Sequence, residues 1–454
     1  LEQVSWVHQK EHEAATKKAK SLVRGGIGKS RFLEPLKFSK VSVTKSALII
    51  GGGMSGISAS LSLARQGFKV YLVERDSRLG GNMYKVKRTM DGLDWQEFLR
   101  NAIGEVEQNE NIEVFLDSEV DEVSGFVGNF KTKLKGRPDE ISHGVILIST
   151  GAEEYQPTDF MHGDDNRVIT QQTLEERIED DIDADTVVMI QCVGSRNEEH
   201  EYCSRVCCSE AVKNALAIKE KKPDASIYIL YRDLRTYGFN ELHYQKAREI
   251  GVMFIRFPDE EYPVVSKRGD DLIVSVNDAV LGETIELKPD LLALSAATVP
   301  RRESAEILAE KLKVPLDNDG FFMEAHVKLR PVDFANEGIF VCGLAHSPKL
   351  TEENISQSLA AAGRAACILA KDSLEVGGVI SVIDQDKCAS CLTCIRECVY
   401  NAPFINADGK AEIEAAKCQG CGNCVSACPA KAIKLHTFTE RQEKELYYSI
   451  LAEV

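Results

Sequence analysis

Short apolar runs alternate with glycine turns and helix-compatible stretches through most of the chain. Ser46 to Ile50 (SALII) is almost wholly apolar and five residues long, the pattern of a strand buried on both faces. A helix over Ile57 to Gln66 and a second strand over Lys69 to Val73 follow. The same rhythm returns at Val145 to Gly151 (VILISTG), Thr186 to Ile190, Ser209 to Lys221, Ser226 to Tyr231 and Ile339 to Leu344 (IFVCGL), with a helix over Thr351 to Ala370. Strands alternating with helices predict an α/β fold on parallel sheets. The two ends differ. Residues 1–45 hold an Ala- and Lys-rich stretch that predicts a helix ending at Gly25–Gly26, then a linker with Pro35. From Val382 short segments are punctuated by cysteines, and the charged tail from Thr437 to Val454 reads as a partner-binding helix or as disordered.

The first turn of this rhythm carries chemistry. Gly51-Gly52-Gly53-Met54-Ser55-Gly56 is G-x-G-x-x-G between a strand and a helix. Gly51 permits the tight turn, Gly53 lets backbone approach a pyrophosphate, and Gly56 lets helix and strand pack closely; Glu74, at the end of the second strand, can accept from a ribose hydroxyl. The next residues favour flavin over nicotinamide. Glu74-Arg75-x4-Gly80-Gly81 resembles the extension of the glutathione and thioredoxin reductase type of FAD domain. Thr150-Gly151 and Gly343-Leu344 resemble the ends of its later strands, and the helix after Gly343 would stabilise negative charge on the reduced ring. Val120 joins this cofactor-binding set. The predicted fold is therefore a thioredoxin/glutathione-reductase-like two-domain flavoprotein. Its FAD domain is split into 46–160 and 290–372 by an inserted Rossmann-like domain, 161–289.

The insert lacks a second glycine loop where a nicotinamide would bind. After Gln191 stands Cys192-Val193-Gly194, and then Cys203, Cys207 and Cys208 in the spacing C-x10-C-x3-C-C. Cys203 and Cys207 are one helical turn apart and could point the same way. Four thiolates suit a 4Fe–4S cluster. Zinc usually takes paired C-x2-C knuckles, absent from this block; redox-disulfide chemistry and plain buried thiols are the other readings. Lys213 is either a cation at the flavin's reactive edge or a solvated surface lysine. The stretch Tyr231 to Gly238, with two arginines, could line a flavin or partner surface or be a solvated loop.

Cys388-x2-Cys391-x2-Cys394-x3-Cys398 repeats as Cys418-x2-Cys421-x2-Cys424-x3-Cys428-Pro429, the bacterial two-cluster ferredoxin pattern. The fourth cysteine of each run ligates the other cluster. Cys388, Cys391, Cys394 and Cys428 then hold one cluster, and Cys418, Cys421, Cys424 and Cys398 the other. Val399 stands where the first run would often have proline. This ferredoxin domain spans 376–440, and 441–454 is the tail. Cys342 and Cys367, outside these groups, read as small core residues. A chain of 454 residues, 43% hydrophobic and 28% charged, has room for two to four domains. No apolar run approaches the roughly 20 residues that span a bilayer. A net charge of -16 argues against nucleic acid and anionic membranes as partners. Fourteen cysteines grouped this way suit clusters in a reducing cytoplasm rather than disulfides.

The SWVH start, GGGMSG, CVGSR…YCSRVCC…K, LYRDLRTYG, GLAHSPK and the ferredoxin repeat together resemble the A subunit of heterodisulfide reductase, a flavin- and iron–sulfur-containing family of methanogens and their bacterial relatives. The resemblance covers nearly the whole chain. It implies that Cys192, Cys203, Cys207 and Cys208 hold a cluster near the FAD, giving three 4Fe–4S clusters in all, and that Lys213 approaches the flavin N5. It implies electron bifurcation or confurcation in a complex with partners like the B and C subunits of that enzyme. A hydrogenase, formate dehydrogenase or similar electron-input module, and ferredoxin, are further implied partners. Two departures stand out. The chain starts at Leu1 rather than Met, and residues 1–45 look like the tail of the family's N-terminal cluster-bearing domain; an additional ferredoxin insert of some members is also absent. Shorter relatives serve as electron-input subunits elsewhere, so a plain electron relay feeding a catalytic partner is the alternative. An NAD(P)H:ferredoxin oxidoreductase is a weaker one, because the second glycine loop is missing.

Overall fold

The computed structural model describes residues 2–180 and 182–452. Leu1, Asp181 of the acidic stretch and the last two residues of the charged tail lie outside them. The chain forms two compact units, Thr44–Lys371 and the pair Leu1–Val43 with Asp372–Val454.

The larger unit is built on two parallel five-stranded sheets. The first has the order Ile339–Val341, Val145–Ile148, Ser46–Ile50, Lys69–Val73, Ile112–Phe115. Ser46–Ile50 sits at its centre and is buried at every position, which is why it carries no alternation. Leu48, Ile50, Ile146, Ile148 and Val341 pack with Phe322 and Phe334. The glycine-loop helix Met54–Arg65 is buried along most of its length.

The second sheet has the order Val168–Thr170, Leu291–Ala296, Thr186–Val193, Ser226–Tyr231, Met253–Arg256. Leu291–Ala296 lies past residue 289, the boundary the strand–helix rhythm predicts for the insert. It belongs to this sheet because it is apolar on both faces and finds a parallel partner on each side, with all six positions buried. Chain leaves and re-enters the first sheet side by side, Ala152–Glu154 pairing antiparallel with Thr298–Pro300. Cys342 is buried, as expected, but Cys367 is exposed. The helix Thr351–Leu369 turns its alanine face (Ala361, Ala362, Ala365) inward and leaves position 367 outside.

In the smaller unit the N-terminal segment and the charged tail fold together. The helix His12–Ser30 packs against the helix Glu440–Leu451, and Phe38–Ser42 pairs with Ser373–Gly377. Gly25–Gly26 does not end the first helix. A Cβ at Gly25 would come within 2.6 Å of Ile450 Cγ1, and one at Gly28 within 2.0 Å of Ser449 Oγ. These glycines bring the two helices together, which outweighs their cost in a helix interior. The cysteine-rich part repeats a short helix, Thr393–Glu397 and Asn423–Ala427, each followed by the fourth cysteine of its run.

Candidate functional site

A cleft in the larger unit lies where the strands of the first sheet end, as ligand sites of open α/β sheets do. Gly51, Gly53, Met54, Ser55, Glu74, Arg75, Gly80, Gly81, Val120, Thr150, Gly151 and Leu344 line it. Gly56 and Gly343 stand behind the lining. A Cβ on Gly56 would come 1.9 Å from Gly51 O, and one on Gly343 2.2 Å from Ser55 Oγ, so both are close-approach positions. Gly51 has φ of 106° and a Cβ there would come 2.4 Å from Ser149 O, so it needs glycine twice over. Glu74, read as the ribose acceptor, is buried and also holds the loop: Gly52 N and Asp76 N donate to its two oxygens, the latter at 2.9 Å. The wall is short of partners. Ser209 Oγ, Gln172 Oε1, Arg301 Nε and Asn354 Oδ1 are buried, belong to cleft-lining residues and have none among the described residues. Buried polar atoms are rarely left so, and a long polar ligand such as a flavin dinucleotide fits both the glycine cradle and these atoms.

Lys213 lines the cleft and is no solvated lysine. Its side chain is 11% exposed, and Nζ donates to both oxygens of Glu175 at 2.9 and 2.8 Å. Glu175 is held in turn by the N–H groups of Lys87 (2.7 Å) and Arg88 (3.1 Å). Ser209, Glu210 and Lys213, all on the helix Cys207–Lys221, face the cleft.

That helix begins with Cys207 and Cys208. Cys192 closes the strand Thr186–Val193 at a register shift, with φ of 63°. Cys203 stands in the loop before the helix and accepts from Arg205 N at 3.3 Å, so the helical-turn argument for Cys203 and Cys207 does not describe their geometry. The four stand near enough to influence one another electrostatically. Burial pushes the Cys207 thiol far up, and the nearby Cys208, Cys192 and Cys203 push the same way. Burial likewise takes Cys208 up to about 12 and raises Cys192, whose anion is favoured by Arg232 and Arg196. Neutral thiols gain nothing from such crowding, whereas iron would supply the charge that four thiolates need. Beside Cys192, Gln191 is fully buried and neither amide atom has a partner among the described residues. The Tyr231 to Gly238 stretch packs around this group: Arg232 donates to Ser195 O at 3.2 Å, and Asp233 pairs with Arg196 and Arg235.

In the ferredoxin repeat, Cys398, Cys418, Cys421 and Cys424 line one small cavity. After burial, the influences on Cys424 include Cys418, Cys398 and Cys421. Cys394 is raised chiefly by burial, with Cys424, Cys391 and Cys388 acting on it. Ser381 N donates to Cys418 Sγ at 3.4 Å and Ala432 N to Cys428 Sγ at 3.3 Å. Backbone N–H groups hold Cys388 below the usual thiol range, and Thr393 does the same for Cys391. N–H donors aimed at sulfur suit thiolate ligands. Among the described residues no three His, Cys, Asp or Glu converge as ligands of a single ion would, in this repeat as in the 192–208 group.

Sequence patterns did not point to Glu175, Gln172, Arg301, Lys349 or Asn354, which carry no motif of their own. Lys349 falls inside GLAHSPK, a segment that stands out for its resemblance rather than its chemistry.

The fold and these sites define a class: an FAD-linked reductase of the thioredoxin reductase architecture joined to a two-cluster ferredoxin module. Residues 49–116 match the family described as NAD(P)-binding Rossmann-like domain, and 380–429 match the 4Fe-4S dicluster domain. The structure of Lactococcus lactis thioredoxin reductase aligns with a TM-score of 0.51 at 18% identity, over 72% of this chain and 99% of that one. The A subunit of the H(2):CoB-CoM heterodisulfide,ferredoxin reductase of Methanothermobacter marburgensis is 34% identical over 91% of this chain and 77% of its own length. The second iron-sulfur A subunit of the CoB--CoM heterodisulfide reductase of Methanopyrus kandleri is 34% identical over 90% and 77%. The chain belongs to the family of heterodisulfide reductase A subunits. It is an oxidoreductase component that transfers electrons through FAD and 4Fe–4S clusters. Among the described residues no helix is long and apolar enough to cross a membrane.

Proposed function

We propose that this protein divides electron pairs between a high- and a low-potential acceptor, or merges them in reverse, within a cytoplasmic complex. In that complex, partners like the B and C subunits of heterodisulfide reductase and an electron-input module such as a hydrogenase or formate dehydrogenase dock on it, and ferredoxin is one acceptor. The relatives' names, which pair a heterodisulfide with ferredoxin, support the two-acceptor scheme. FAD, when bound, supplies the exchange between two-electron and one-electron chemistry. Its pyrophosphate would lie on Gly51, Gly53 and the start of the Met54–Arg65 helix, and Lys213 would serve the reactive edge of the ring. Cys192, Cys203, Cys207 and Cys208 would hold a third cluster in addition to the two of the ferredoxin repeat.

One observation carries this reading. The helix Cys207–Lys221 offers thiols at its first turn and cleft-lining Ser209, Glu210 and Lys213 immediately after, so a cluster and a flavin would be neighbours. The test is the iron, sulfide and FAD content of anaerobically purified wild type and Cys207→Ser. About twelve irons and one FAD are expected from three clusters, with about four irons lost and FAD kept in the variant. About eight irons, unchanged in the variant, would mean that the group is not a cluster site.

A further inference from the structure

The loop after the strand Ile339–Val341 carries a lysine to which neither the cofactor motifs nor the thiol sites give a role. Lys349 is 7% exposed and stands just before the helix Thr351–Leu369. Its Nζ donates to Gly343 O at 2.7 Å, Ser347 O at 2.6 Å and Ser347 Oγ at 3.1 Å. Among the described residues it forms no ion pair with a carboxylate. It lines the same cleft as Gly51, Thr150, Gly151 and Lys213. In the first turn of the following helix, Asn354 is 9% exposed and lines the same cleft, and its buried Oδ1 has no partner among the described residues. One end of the cleft therefore gathers a buried ammonium, an unsatisfied amide and the positive end of a 19-residue helix.

A buried ammonium among neutral oxygens is costly, and closing the 343–349 loop could be done by an uncharged side chain. An ammonium held at this desolvation cost beside a cofactor cleft is suited to meet negative charge there. We propose that Lys349 is the counter-charge of the reduced FAD, taking a proton from solvent as the cofactor gains its electron pair and becomes anionic. The proposal rests on FAD occupying this cleft.

The surroundings suit the task. Burial takes the ammonium down to about 7; Arg205 pushes the same way, while Cys342 and Glu353 oppose. His346 also faces it, and is itself lowered chiefly by burial. Lys349 is thus near its titration point at neutral pH, and a new negative charge beside it raises its proton affinity. Between pH 7 and that higher value, reduction binds one extra proton per two electrons. A tenfold change in proton activity then moves the potential by an additional 30 mV or about that.

The test is an anaerobic spectroelectrochemical titration of FAD in the full chain from pH 6 to 9, for wild type, Lys349→Met and Lys349→Arg. The wild type is expected to show the additional slope above pH 7. Both variants are expected to lose it, the methionine form at a lower potential than the wild type below pH 7 and the arginine form at a higher one than the methionine form throughout. If a variant binds FAD with the wild-type slope, Lys349 is only a loop staple and the proposal falls; should Lys349→Met shed its FAD, Lys349→Arg decides alone. A wild-type chain without FAD would overturn the reading of the cleft and this proposal together, so the two failures are told apart by flavin content.

Discussion

Lys213→Met would expose how much the cleft wall depends on one buried pair. Lys213 and Glu175 are 11% and 3% exposed, and Nζ meets both carboxylate oxygens within 2.9 Å. Removing the ammonium leaves a buried carboxylate whose hydrogen-bond donors among the described residues are the Lys87 and Arg88 N–H groups. Breaking a buried pair from one side usually costs about 3–5 kcal/mol. The two remaining donors place this case near the lower end, about 3 kcal/mol. Replacing both partners removes the unpaired charge. In Lys213→Met with Glu175→Gln, the amide oxygen still accepts from Lys87 and Arg88, so the double variant should lose roughly 1 kcal/mol. The coupling in a double-mutant cycle is then at least about 2 kcal/mol. The assay is anaerobic urea unfolding of the full chain, followed by flavin release. A single-variant loss under about 1 kcal/mol, or additive losses in the double variant, would refute the claim that the pair is desolvated and mutually dependent.

Other consequences can be checked alongside. Gly56→Ala puts a Cβ 1.9 Å from the Gly51 carbonyl, which is backbone and cannot swing away; a loss of about 1–3 kcal/mol and a fall in the FAD-to-protein ratio are expected, and full FAD occupancy would contradict them. His143 is fully buried between Thr132 Oγ1 (2.8 Å) and Val145 O (3.0 Å), and burial takes it from 6.5 down to about 4. The folded state therefore binds fewer protons than the unfolded one between those values. Stability from the neutral imidazole is present above pH 6.5 and is lost as pH falls towards 4, by about 2 kcal/mol between pH 7 and 5. His143→Gln should flatten that part of the stability profile, and an unchanged slope would show that other groups govern it. Cys398→Ser should disturb the same cluster signal as Cys418→Ser in electron paramagnetic resonance, and a different one from Cys388→Ser; if it matches Cys388→Ser, the runs do not exchange their fourth ligands.

Much of the architecture could be read along the chain because the chemistry is local. The G-x-G-x-x-G loop works through backbone geometry within a few residues, and Gly51 and Gly56 are confined by contacts with their own turn and the neighbouring strand. The C-x2-C-x2-C-x3-C runs are local spacing patterns, so the ferredoxin module could be expected from the sequence. Uniformly apolar strands such as Ser46–Ile50 announce a sheet covered on both faces. Tertiary structure decided the rest, and in each case the reason is that the partners are far apart in sequence. Glu175 meets Lys213 only because two helices of the insert pack together. Leu291–Ala296 joins the second sheet because both its edges find apolar partners there, which no local pattern reveals. Gly25–Gly26 looks like a helix end until the helix Glu440–Leu451 lies against Gly25 and Gly28. Lys349 and Asn354 bear no motif; burial marks both, and Asn354 Oδ1 has no hydrogen-bond partner among the described residues, and those are properties of the folded chain.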